Sequence, residues 1–322
     1  MSSPIVPNTS VDVGNLAQQL NQILVYKIYI EKMPSTSYLD KNYKSTHYNN
    51  VRPSYPKTLI TEILNYHMGP CERLVDVGCG TGKATVLFKD NFKEIVGVDP
   101  SESMLKSFAD VIENDVAESE RGKFKLIKAP GESFPEVENS SVDLVIGAES
   151  IHWCDMPKLF NEVNRVLRDD GTFAFWFYCQ PEFMDLGPKA HEIYYKYGWS
   201  EQFMGKYLTA EQRAFFNTFG GPKLPELLGK EFRDIEFRKH DALHKDIKEV
   251  SSFYMDGSMT LQDFKGLVKS WSLYASWKRD HPDEPDIADT FIDELKTECS
   301  VESESTPLRV EWDTFHYLCR KK

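Results

Sequence analysis

Short apolar runs recur along the chain from Arg73 onward, separated by segments whose apolar positions fall three and four residues apart. The first run, Arg73–Val77, ends in glycine, and Glu94–Val98, Phe124–Lys128, Val142–Gly147 and Thr172–Tyr178 repeat the pattern. Between them, Lys83–Asp90, Ser101–Ile112 and Pro157–Leu167 read as helices. In the last of these Leu159, Val163, Val166 and Leu167 share one face, and Asp170-Gly171 breaks it. Apolar strands alternating with amphipathic helices predict a parallel sheet covered on both faces. Right-handed crossovers make it doubly wound.

After Tyr178 the rhythm changes. Residues 181–228 are aromatic-rich and helical in pattern, and Phe232–His240 reads as a strand. Residues 247–300 predict two or three helices, interrupted at His281-Pro282 and Pro285, and Leu308–Leu318 alternates as a final strand. The expected architecture is α/β, with a mostly parallel seven-stranded sheet. Residues 179–230 and 246–300 are helical insertions over the C-terminal edge, where open α/β sheets bind ligands. Residues 33–180 form the core, and 181–322 complete the same domain. Residues 1–32 read as a flexible, dispensable extension: the first ten are Ser/Pro/Asn/Thr-rich, and Val13–Lys27 has helical spacing.

Composition narrows the function. The 322 residues carry 38 Lys+Arg against 50 Asp+Glu, a formal charge of −12. Such a surface repels phosphate backbones, so no nucleic-acid partner is expected. The apolar run around Ile28-Tyr29-Ile30 is far shorter than the roughly 20 residues of a membrane span. The six cysteines form no CxxC pair, which predicts reduced thiols, no structural zinc and a cytoplasmic location. His240 and His244 lie four apart but enclose no Glu and have no third ligand nearby, so no metal site is expected. A monomer is the expected state.

The strongest chemical signal is Leu74-Val75-Asp76-Val77-Gly78-Cys79-Gly80-Thr81-Gly82, between a strand and a helix. Glycines there permit a sharp turn and close approach of a ligand. A dinucleotide fingerprint wants its third glycine one residue later, where Lys83 stands, which argues against a nicotinamide cofactor. Asp76 would oppose a pyrophosphate but attract an ammonium or sulfonium group. Asp99 ends the next strand, 17 residues after Gly82. It suits a grip on ribose hydroxyls, or a cap on the helix that starts near Ser101.

With these features the chain resembles the class I S-adenosylmethionine-dependent methyltransferases, from about residue 38 to 180. Three further stretches extend the resemblance toward the C-terminus: Tyr48-Asn49-Asn50-Val51-Arg52-Pro53, Gly147-Ala148-Glu149-Ser150-Ile151-His152-Trp153, and Lys269-Ser270-Trp271-Ser272-Leu273-Tyr274. They are similar to the group that holds the fungal trans-aconitate and yeast cantharidin-resistance methyltransferases. The resemblance implies S-adenosylmethionine as cofactor, contacted by Tyr48, Arg52, Asp76, Gly78, Gly80, Gly82, Asp99, Met104, Ala129, Pro130, Glu132 and Ala148. Met104 would lie against adenine or else pack in the core. Many members carry Asp where this chain has Pro130, which leaves backbone groups or Glu132 to meet the adenine amino group.

The resemblance also implies a small-molecule acceptor, most simply a carboxylate of a polyacid. Its expected contacts are Tyr43, Arg52, His152, Trp153, Tyr178, Lys269, Trp271 and Tyr274, with Arg213 as a further cation. Trp271 and Tyr274 equally suit helix core packing. A carboxylate is ionised near neutrality and needs no general base. His152 is the one catalytic candidate, in a positioning role. The competing readings are a methyltransferase of another small-molecule O- or N-acceptor and a protein that binds the cofactor without turnover.

Overall fold

The computed structural model describes residues 52–221, 223–243 and 251–322. Tyr43, Tyr48, His244 and the 1–32 extension lie outside the described residues.

Strands β1 (Arg73–Val77), β2 (Glu94–Asp99), β3 (Phe124–Lys128) and β4 (Val142–Ala148) fall where the apolar runs place them. With β5 (Leu167–Phe183) they form a parallel set in which β1 pairs with β2 and β4, β2 with β3, and β4 with β5. β6 (Phe232–His240) and β8 (Leu308–Lys321) close the far side, with β8 antiparallel to both β5 and β6. The strand order is β3-β2-β1-β4-β5-β8-β6. β1, β2 and β4 are buried almost throughout, as strands covered on both faces must be.

Three details correct the expectation. An eighth strand, β7 (Asp256–Met259), joins the expected seven by pairing with Leu308–Glu311 of β8. The helix expected over Lys83–Asp90 shrinks to a single 3-10 turn, Thr85–Phe88. Thr85 there donates its hydroxyl to Asp76, so the chain is held to the strand end rather than free to wind on. β5 also starts earlier and ends later than its apolar run. It begins with an irregularity between Leu167 and Thr172, where Asp170 sits at φ 61°.

Helix α1 (Lys57–His67) covers one face through Leu59, Ile60 and Ile63. α2 (Glu102–Asp115) is capped by Ser101, whose Oγ accepts from the Met104 amide at 3.4 Å. α3 (Met156–Val166) covers the other face through Leu159, Val163 and Val166 of the predicted stripe together with Phe160, while Leu167 opens β5 instead. α4 (Pro188–Trp199), α5 (Ala210–Asn217) and α6 (Leu224–Glu231) follow β5. α7 (Leu261–Lys269), α8 (Ser272–Asp280) and α9 (Ile287–Glu298) lie between β7 and β8. Phe264 of α7 meets Phe183 at the extended end of β5, ring centres 5.1 Å apart, so this helical layer packs on the C-terminal extension of the sheet.

Candidate active site

The glycine loop leaves β1 at its C-terminal end. Gly78, Gly80 and Gly82 all take positive φ, at 70°, 54° and 81°. Packing alone explains two of them. A Cβ at Gly78 would lie 2.4 Å from Ser150 Cβ, and one at Gly82 would lie 2.1 Å from the Phe108 ring. Gly80 differs, because a Cβ there would meet nothing within 4 Å. Its backbone faces open space, the arrangement a ligand-cradling loop needs.

Asp76, the penultimate residue of β1, is fully buried. Its Oδ2 accepts from Thr85 Oγ1 at 2.6 Å, while Oδ1 has no hydrogen-bond partner among the described residues. Burial pushes its carboxyl up to about 7. A buried carboxylate with an unused oxygen invites a cation. Asp99 Oδ2 accepts from the Gly80 amide at 2.9 Å, and Oδ1 from the Ser101 amide at 2.8 Å. Asp99 therefore braces the loop and the start of α2, and each oxygen keeps lone-pair capacity for a ligand hydroxyl. Burial raises it to about 6.

The next wall comes from Met104, Ala129 and Pro130, all buried. Met104 belongs to neither of the two large apolar clusters. Glu132 Oε1 accepts from the Asp155 amide at 2.7 Å, which ties this loop to the start of α3. Its Oε2 is buried and has no hydrogen-bond partner among the described residues. Burial raises the pKa of this carboxyl too.

The second half of the site lies past β4. Ala148 ends the strand beside Trp176. Glu149 follows at φ 55°, and its carboxylate accepts from the Tyr178 amide. Ser150 donates to the Val77 carbonyl at 2.6 Å, so this turn packs directly under the glycine loop. His152 sits among Trp153, Phe177, Phe215 and Phe216, with ring centres 4.8, 5.3, 6.0 and 5.1 Å away. Burial, with the Arg52 charge adding to it, lowers its pKa to about 3, so the imidazole is neutral.

Arg52 joins the two halves. Its Nη1 donates to Tyr178 Oη at 3.1 Å and its Nε to Ser270 Oγ at 3.0 Å. Its carbonyl accepts from Lys83 Nζ, at the end of the glycine loop. One arginine thus links that loop, β5 and the C-terminus of α7.

Three expected cations and donors are engaged elsewhere. Lys269 pairs with Asp286 at 3.2 Å and Asp289 at 3.6 Å, and Tyr274 donates to Asp286 at 2.8 Å. These contacts hold α7 and α8 to the start of α9. Arg213 donates to the carbonyls of Trp199 and Gly205 and pairs with Glu201. Trp271 packs edge-on against Tyr194 and Phe264, a core role. Sequence reasoning missed Glu149, Ser270 and Lys83. Glu149 was visible only as a neighbour of His152-Trp153, and Ser270 meets Arg52 across a separation of 218 residues.

Comparisons with known proteins identify the family. A methyltransferase domain family profile matches residues 75–175, which span the glycine loop to β5. The chain is 50% identical over 295 residues to the Saccharomyces cerevisiae protein named "Probable S-adenosylmethionine-dependent methyltransferase CRG1". That alignment takes in 90% of this chain and 100% of the yeast one. A Dictyostelium discoideum protein named as a "Putative methyltransferase" is 25% identical over 282 residues, covering 86% of this chain and 93% of its own. Among solved structures, one from Anaeromyxobacter dehalogenans described as a Type II methyltransferase superposes with a TM-score of 0.61 at 20% identity. It covers 84% of this chain and 97% of that chain, a likeness of fold. The carboxylates and the open Gly80 backbone fit the ammonium, sulfonium and ribose of the expected cofactor, and the chain belongs to the S-adenosylmethionine-dependent methyltransferases.

Proposed function

We propose that this methyltransferase esterifies a carboxylate of a small polyacid. The observation that carries the reading is Arg52, held between Tyr178 of β5 and Ser270 of α7. A guanidinium held by these contacts sets a fixed positive charge in the site, which attracts an anionic oxygen. When bound, S-adenosylmethionine supplies an electrophilic methyl group. The chain's own task is then to bind and orient the acceptor and to exclude water. The aromatic surround of His152 and the helical layer over β5 serve exclusion. Neutral His152 positions the acceptor, and an ionised carboxylate leaves no proton for it to remove.

In this reading Asp99 and Asp76 hold the ribose and the cationic end of the cofactor, and the Met104, Ala129 and Pro130 wall takes adenine. Glu132 Oε2, buried and without a hydrogen-bond partner among the described residues, is then the acceptor for the adenine amino group. The acceptor is a small molecule rather than a nucleic acid, and the enzyme acts as a monomer in the cytoplasm. Among the described residues no helix is long and apolar enough to cross a membrane. The test is a screen of small carboxylic acids with methyl-labelled S-adenosylmethionine. Labelling of di- and tricarboxylic acids supports the reading, and labelling confined to amines or phenols overturns it.

A further inference from the structure

A polyacid acceptor carries more anionic oxygens than one arginine can satisfy. Lys269 and Arg213, the other cations the sequence offered, are occupied by Asp286, Asp289, Glu201 and main-chain carbonyls. The site therefore needs a donor that is not a cation. Glu149 is placed to be one. It leaves the C-terminal end of β4 in the left-handed region, a conformation costly for a residue with a side chain, and such outliers concentrate at functional sites. Its neighbour Ser150 touches the glycine loop at Val77 and Gly78. Its Oε1 is fixed by the Tyr178 amide and Arg52 by the Tyr178 hydroxyl, so one tyrosine holds both groups, and the Arg52 charge acts on the Glu149 carboxyl. No hydrogen bond among the described residues engages Oε2.

We propose that Glu149 is an acceptor-binding residue: its Oε2, protonated, donates a hydrogen bond to an anionic oxygen of the methyl acceptor beside Arg52. The inference rests on the carboxylate reading above. Oε1 already receives an N–H, so the proton belongs on Oε2. Burial raises the carboxyl to about 8, even with Arg52 pulling the other way. Among the described residues the buried Cys179 thiol, itself raised, also feels the Glu149 charge. Ionised, Glu149 would repel the acceptor instead of binding it.

Calorimetry tests this with trans-aconitate titrated into protein loaded with S-adenosylhomocysteine, from pH 6 to 9. Binding should follow the fraction of protonated Glu149 and weaken about tenfold between pH 7 and pH 9. In Glu149→Gln the side-chain amide still accepts from Tyr178 and donates outward, so affinity should not change across that range. Glu149→Ala, lacking the donor, should bind weakly at every pH, with S-adenosylhomocysteine affinity reporting its integrity. Equal pH dependence in wild type and Glu149→Gln overturns the role of Glu149 alone. No binding of trans-aconitate to any form at any pH, with S-adenosylhomocysteine still bound, overturns the carboxylate reading and this inference with it.

Discussion

Asp99 Oδ2 accepts the Gly80 amide at 2.9 Å, joining the end of β2 to the one glycine of the loop whose Cβ position is open. The same carboxylate caps the approach to α2 through Ser101. Asp99→Ala should weaken S-adenosylmethionine binding by at least about 1.5 kcal/mol, because it removes a charge-assisted acceptor and frees the loop. Calorimetry measures this. A lowered melting temperature with unchanged affinity would reduce Asp99 to a brace.

Gly80 and Gly82 should separate by phenotype. Gly80→Ala pays only the left-handed conformation, about 1–2 kcal/mol. It should stay folded while losing cofactor affinity. Gly82→Ala drives a Cβ into Phe108 and should lower the melting temperature sharply. Thermal unfolding and cofactor titration on both variants check the contrast. Equal stability losses would mean the Gly80 backbone faces packing rather than ligand.

Arg52→Lys keeps the charge but loses the fork that reaches Tyr178 and Ser270 together. The expected result is a rise of about tenfold or more in acceptor KM, with cofactor Kd within about threefold. A change in cofactor Kd alone would move Arg52 to the cofactor side of the site.

The paired strands and the loop were legible because each is a local pattern: Arg73–Val77, Glu94–Asp99 and the glycine spacing need no tertiary information. β7 was not legible, since Asp256-Gly257-Ser258-Met259 has no alternation and forms a strand only because Leu308–Glu311 offers an edge. The turn at Thr85 was misread as a full helix because its hydroxyl's partner, Asp76, lies on the preceding strand. Lys269 and Tyr274 looked like pocket residues beside Trp271. Their partner Asp286 is invisible as such in the sequence, and it draws them onto α9.

Protonation links this site to stability. In the cofactor-free protein, burial holds Asp76 up to about 7 and Glu149 up to about 8. The unfolded chain loses both protons near about pH 4. The folded state thus binds more protons up to about pH 8, and stability is lost as pH rises through these values. Below about pH 6.5 the depressed His152 opposes the trend. Urea unfolding should find the protein about 2 kcal/mol less stable at pH 8.5 than at pH 6.5. Asp76→Asn and Glu149→Gln should each flatten the difference. Greater stability at pH 8.5 would contradict the assignment of buried, protonated carboxyls.

The chemical nature of the methylated product tests the central claim most directly. Product formed with methyl-labelled S-adenosylmethionine and a carboxylic acceptor should release its label as methanol in mild alkali, as an ester does. At saturating acceptor the rate should stay flat from about pH 6.5 to 9, because a carboxylate with a pKa near about 4 needs no base. A product stable to alkali, formed at a rate that climbs with pH, would contradict carboxylate esterification.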